Sequence, residues 1–215
     1  MRRIAILFVF FPFLIASSAV AQPEVSVRGD VGAAFFQSPE GLNTVLDPGT
    51  NLGLGASVQM TRGLELVLEG SYDQFTFNGD TFGSFTDGLS IGSEVKGGDL
   101  KVQNVTVGLR YTLENQSDAH PYIAGGIGLY RSVLERANIS QIDQSLPRQT
   151  ATTKGYHAAI GSRFLINETC SFFFEPRFVI VDAGGSEVQT ETPIRYVATT
   201  STRYVTVLIG VDVRF

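Results

Sequence analysis

Eight times along this chain, apolar residues recur at every second position, with small, polar or charged residues between them. A period of two marks an extended strand with two unlike faces, because successive strand side chains point to opposite sides. In residues 25–35, Val25, Val27, Val31 and Phe35 oppose Ser26, Arg28, Asp30 and Gly32. In 64–74, Leu64, Leu66, Leu68 and Tyr72 oppose Glu65, Glu69, Ser71 and Asp73. The pattern returns in 52–60, 104–112, 121–131, 155–166, 171–181 and 204–215. No comparable stretch places apolar residues at helical spacing. The expected fold is all-β, with essentially no helix after residue 21.

The connections alternate in length. Residues 61–63 and 167–169 are tight turns, and 113–119 is a slightly longer one. Between them run long polar stretches at 37–50, 78–99, 134–153 and 184–202. Short turns at one end and long loops at the other describe an up-and-down meander of antiparallel strands. Hairpins centred on the turns pair Met60 with Leu64, Gly55 with Glu69, Phe164 with Phe172, Gly161 with Glu175, Tyr111 with Ile123 and Gly108 with Gly126. These pairings put apolar beside apolar, and a slip of one residue would scramble them.

The first residues read as an address. Arg2 and Arg3 precede an apolar run from Ile4 to Ile15, and Ala19-Val20-Ala21 is a small-x-small cleavage site. This is the secretory signal pattern, and the run is too short for a spanning helix. The expected division is a signal peptide over 1–21 and one β-barrel domain over 22–215. Losing Arg2 and Arg3 leaves 14 basic against 21 acidic side chains, a formal charge of −7. An acidic chain without a basic run argues against a nucleic-acid partner. Cys170 is the only cysteine, so no disulfide framework exists.

Periodicity alone leaves two arrangements open: a soluble barrel with the aliphatic face inside, or a membrane barrel with that face outside. Several features favour the membrane. The charged face is rich in Gly, Ser, Thr and Ala, which suits a crowded interior. Its cations are Arg, which forks onto carboxylates and tolerates paired burial better than Lys. Aromatic residues gather at the ends of the apolar faces: Phe35 and Tyr72 at the loop end; Tyr111, Phe164, Phe172 and Phe215 at the turn end. Such belts mark membrane interfaces. Lipid offers nothing to an unpaired backbone group, so a β-structure must close there. The expected architecture is therefore an eight-stranded antiparallel up-and-down transmembrane β-barrel, with short periplasmic turns and four long extracellular loops.

The last strand, Leu208-Ile209-Gly210-Val211-Asp212-Val213-Arg214-Phe215, resembles the C-terminal signal of bacterial outer-membrane barrels. Gly210, Val213 and Phe215 are the matching positions; Leu208 stands where a polar residue is preferred. Residues 120–128 and 174–178 are similar to the fifth and seventh strands of small OmpA/OmpX-type barrels. The resemblance implies a bacterial outer-membrane location, insertion by the barrel-assembly machinery, and contact with outer-membrane lipids including lipopolysaccharide. It implies no single activity.

The face assigned to the interior collects Arg28, Arg110, Arg163, Arg177 and Arg214 against Asp30, Glu65, Glu69, Asp73, Glu175 and Asp212. An unpaired buried charge costs several kcal/mol, so near-balance predicts a structural network of ion pairs. Within it, Arg163 is expected to reach diagonally to Glu175 through space that Gly161 leaves. A switchable ion gate and a luminal substrate site are the other readings of the same charges. Small barrels that deacylate lipid A carry His-x-Ser; here His157-Ala158-Ala159 lacks the hydroxyl, and Ser162 falls on the lipid face. His120 precedes Pro121 and reads as solvated. Neither these residues nor Cys170 has metal-ligand spacing. Asp47-Pro48-Gly49 and Asn78-Gly79-Asp80 read as chain turns rather than calcium sites. No catalytic residue, cofactor or metal is assigned.

The leading expectation is a non-enzymatic barrel with a structural or surface-interaction role, in which extracellular loops meet an unknown ligand. Leu89, Ile91, Ile139, Ile142, Leu146, Ile194, Tyr196 and Val197 are the apolar loop residues that such a surface would use. A narrow channel is the first rival, and a lipid-modifying enzyme the second.

Overall fold

The computed structural model describes residues 24–38, 46–78, 95–113, 115–135, 137–139, 144–146, 148–182, 189–190 and 201–215. The expected leader and most of the loop residues named above lie outside them; Ile139 and Leu146 fall in described strands without described side chains.

Among the described residues twelve strands follow one another: β1 (Val25–Ser38), β2 (Gly49–Thr61), β3 (Leu64–Phe75), β4 (Val95–Gly97), β5 (Leu100–Thr112), β6 (Ala119–Leu134), β7 (Ala137–Ile139), β8 (Gln144–Leu146), β9 (Gln149–Leu165), β10 (Cys170–Val181), β11 (Gln189–Thr190) and β12 (Thr202–Arg214). Eight of them are long. Antiparallel pairing runs β1–β2–β3–β5–β6–β9–β10–β12 and returns from β12 to β1. The sheet therefore closes on itself and leaves no edge in the wall. Among the described residues there is no helix.

The outer face is apolar through the middle of the wall: Leu54 is 68% exposed and Ile160 is 64% exposed. Water would not tolerate a continuous belt of this kind; hydrocarbon covers it. The long strands run from 12 residues in β10 to 17 in β9. A span needs about 9–11 residues, so the strands continue beyond the belt. This corrects the expected loop limits: β6 and β9 extend into 134–153, β1 and β2 into 37–50, and β12 into 184–202. Beyond the wall, β4, β7 and β8 form a separate three-stranded sheet, and β11 adds to β9.

Register follows the alternation at Gly55–Glu69, Phe164–Phe172, Tyr111–Ile123 and Gly108–Gly126. It departs at Met60. The ladder slips between Gln59 and Thr61, so Leu64 pairs with Thr61 and Met60 sits in the irregularity. The turn is then only Arg62-Gly63, and Gly63 takes a left-handed φ of 76° that a side chain would strain. At the next tight turn Asn167 Oδ1 accepts from the backbone N–H groups of Thr169 and Cys170 at 3.0 and 2.7 Å.

Candidate functional site

Closure carries the charged face inward, and the interior is stacked in layers. Nearest the turn end, Arg163 meets Glu65 and Asp212, each at 3.1 Å. Arg110 meets the same two carboxylates at 3.0 and 3.4 Å. Ser57 donates to Glu65 at 2.9 Å and is bonded to Ser26 at 2.8 Å.

The next layer centres on Glu175, which is 0% exposed. Arg177 approaches it at 2.6 Å and Arg28 at 3.2 Å, and the Tyr122 hydroxyl donates to it at 2.8 Å. The same two arginines hold Glu69 at 2.9 and 3.0 Å. Arg28 also lies 3.7 Å from Asp30, and its guanidinium stacks 3.9 Å from the Phe173 ring centroid. Arg110 links the layers by approaching Glu69 at 3.8 Å. Each buried carboxylate here has a cation within ion-pair distance, the condition under which buried charge is tolerable.

Three sequence-based placements differ in detail. Arg163 does not reach Glu175; it is held by Glu65 and Asp212, while the space beside Gly161 is taken by Tyr122. A Cβ on Gly161 would lie 2.4 Å from Tyr122 Cζ, which only glycine avoids. Arg214 stands at the turn-end rim, half-exposed and paired with Glu24. Asp73 lies at the loop end, where Asn51 donates to it at 2.6 Å and the Tyr204 hydroxyl at 3.0 Å.

Above Asp73 the interior turns apolar. Ala34, Phe36, Leu46, Phe75, Val102, Tyr130, Val179, Val181 and Tyr204 form one buried cluster. Phe75 packs edge-on against Phe36 at 5.4 Å and Tyr204 at 5.7 Å. The charge pattern of the inner face does not predict this cluster. A signal lies one step along the strand: continuing the inner face of residues 25–35 reaches Ala34 and then Phe36.

The interior is thus filled at two heights by unlike materials. Arg110 is 1% exposed beside the lower carboxylates, and Phe75 and Tyr204 are 0% exposed above. A cavity of about 330 Å³ opens at the turn end, lined in part by Glu24, Thr112, His120, Arg163 and Arg214. A void of about 10 Å³ beside Arg110 and His157 has room for one water, which suits the unpartnered Arg110 Nε and His157 Nδ1. His157 is buried on the inner wall, whereas Ser162 falls on the opposite face of β9. No group of three or more metal-ligating side chains occurs among the described residues.

The family model described as outer membrane protein beta-barrel domain matches residues 5–215. No curated protein matches. Among solved structures, Neisserial surface protein A superposes with a TM-score of 0.57 at 15% identity, covering 89% of this chain and 97% of its own. The outer membrane protein OprG from Pseudomonas aeruginosa gives 0.54 at 16%, covering 90% and 95%. A major outer membrane protein from Thermus thermophilus gives 0.53 at 9%, covering 89% and 99%. At these identities the likeness is one of fold.

Proposed function

The chain belongs to the outer membrane protein beta-barrel domain family, and from that premise we propose that it is a sealed, non-enzymatic barrel acting through its extracellular surface. It resides in the bacterial outer membrane as a closed eight-stranded antiparallel barrel. One observation carries the reading: the double closure of the lumen, with Glu175 locked between Arg28 and Arg177 and the Phe36–Phe75–Tyr204 cluster above it. A solute crossing the barrel would have to part buried ion pairs and then an aromatic core. Among the described residues both layers obstruct the lumen, which supports the loops and rim as the surface this protein offers from outside.

The test is conductance in a planar lipid bilayer with purified protein. Current at the level of the empty bilayer is expected. Unitary conductance steps would overturn the sealed reading and put a narrow channel in its place. The leader over residues 1–21 and Gln22 as mature N-terminus are part of the same proposal, checked by N-terminal sequencing of protein extracted from the outer membrane.

A further inference from the structure

Sorted by face, the charged residues of the eight long strands show an asymmetry: the inner face holds arginines and carboxylates together, whereas the outer face holds one sign only. Asp30, Glu65, Glu69, Asp73, Glu175 and Asp212 all point inward. The charged residues on the outer face are Lys101, Arg131, Lys154 and Arg203, and all four are cations. Each alternates with a buried inner neighbour: Val102, Tyr130, Gly155 and Tyr204 respectively. All four sit at the loop end. Arg131 follows the exposed Leu129 along β6, and Lys154 comes next to the exposed Tyr156 on β9, so both stand at the border of the apolar belt. At the turn end the outer face of these strands carries no charge among the described residues.

Three of the four form a diagonal row across β5, β6 and β9. Arg131 pairs across the ladder with Gln103 and Thr152. Lys101 pairs with Val133, two residues beyond Arg131, and Lys154 pairs with Leu129, two residues before it. Diagonal neighbours of this kind lie about 7–8 Å apart. Glu135 is shared by Lys101 at 3.1 Å and Arg148 at 3.5 Å, so one carboxylate serves two cations. Asp182 flanks Lys154, with its backbone N–H donating to the Lys154 carbonyl. Arg131, in the middle, is exposed, and its cross-strand neighbours are an amide and a hydroxyl.

We propose that this sector of the outer wall binds the phosphate groups of lipids in the extracellular leaflet, with Arg131 at the centre and Lys101 and Lys154 on either side. The position is that of lipid headgroups, immediately above the hydrocarbon. A guanidinium offers a planar fork to phosphate oxygens, and lysines lay their stems along the apolar wall while the ammonium reaches the headgroup. Gln103 and Thr152 add neutral donors. Because the turn end lacks outward charge, the preference is for one leaflet only. The proposal goes beyond the sealed-lumen reading and does not depend on it, since inner and outer faces are separate surfaces.

The experiment is native mass spectrometry of the folded barrel released from nanodiscs of phosphatidylcholine containing lipid A, or lipid A stripped of its phosphates. Wild type should retain phosphorylated lipid A and not the stripped form. The double variant Arg131→Gln with Lys154→Gln should retain it at least about tenfold less well, given the attraction each cation contributes near an anionic surface. Heat-modifiable mobility on gels checks that the variant is folded, and Arg203→Gln, off the row, should behave as wild type. Equal retention of the stripped lipid would assign the contact to acyl chains and overturn the proposal. Undiminished retention by the folded double variant would overturn it too. Inorganic phosphate bound by the detergent-solubilised barrel as tightly as the lipid would overturn the assignment to a membrane lipid.

Discussion

The hydroxyl of Tyr122 on β6 donates a 2.8 Å hydrogen bond to Glu175 on β10, passing across β9 where Gly161 has no side chain to block it. Glu175 thereby gains a neutral donor besides its two arginines. Removing the carboxylate, as in Glu175→Ala, should leave Arg28 and Arg177 short of a counter-charge in a dry interior, at about 3–5 kcal/mol. Tyr122→Phe removes one bond to a charged group and should cost less, about 1.5–3 kcal/mol. Urea unfolding in the presence of lipid vesicles measures both. Wild-type stability in Glu175→Ala would mean that water reaches this layer.

Coupling should follow the layers. Glu175→Gln combined with Arg177→Met removes both partners of a 2.6 Å pair, and the double variant should cost less than the two single changes together. Glu175→Gln combined with Arg163→Met breaks no direct pair, and only Arg110 links their ion-pair sets, so this coupling should be the smaller of the two. The same urea titrations decide it. A large coupling to Arg163 would mean that the two layers act as one.

Phe75 lies at the centre of the apolar cluster, against both Phe36 and Tyr204. Phe75→Ala should destabilise the barrel by about 3–5 kcal/mol through the cavity it leaves. It should not open a conducting path, because the Glu175 layer still closes the lumen below. Bilayer recordings of the folded variant should stay at baseline. A current in Phe75→Ala alone would make the aromatic cluster the sole seal.

Phe215 closes the barrel at the turn end: its backbone N–H donates to the Val25 carbonyl at 2.8 Å, while its side chain stays 78% exposed toward lipid. Deleting Phe215 should lower the heat-modifiable, membrane-inserted fraction while leaving export across the inner membrane intact. Fractionation of cells followed by gels with and without boiling reads both quantities. Undiminished insertion would mean that the C-terminal pattern plays no part in assembly.

Much of this fold was legible along the chain, because strand alternation is a local property. Val25, Val27 and Val31 face opposite to Arg28 and Asp30 whatever lies beyond them, and the turn at 167–169 fixes Phe164 opposite Phe172. Met60 escaped because the slip at Thr61 depends on the geometry of a two-residue turn rather than on hydropathy. Phe36 and Phe75 escaped for another reason: at the loop end buried Phe36 follows the equally apolar, outward Phe35, and buried Phe75 follows the outward Gln74, so the apolar-out, polar-in contrast fades and then reverses.

The sequence by itself determined the eight wall strands but not the short β4, β7, β8 and β11, and it determined which side chains share a face and that the charged face is nearly balanced. Only the tertiary structure decided who pairs with whom. Arg28 and Glu175 are separated by 147 residues and meet because β12 closes onto β1 and the interior is narrow enough for side chains to cross it. That distance is set by closure and by the tilt of the strands, and neither is encoded in any one segment. Tyr122 and Gly161 show the same dependence. Each is an ordinary inner-face residue in its own strand, and only their register on adjacent strands sends the Tyr122 hydroxyl to Glu175 and leaves Arg163 to Glu65 and Asp212.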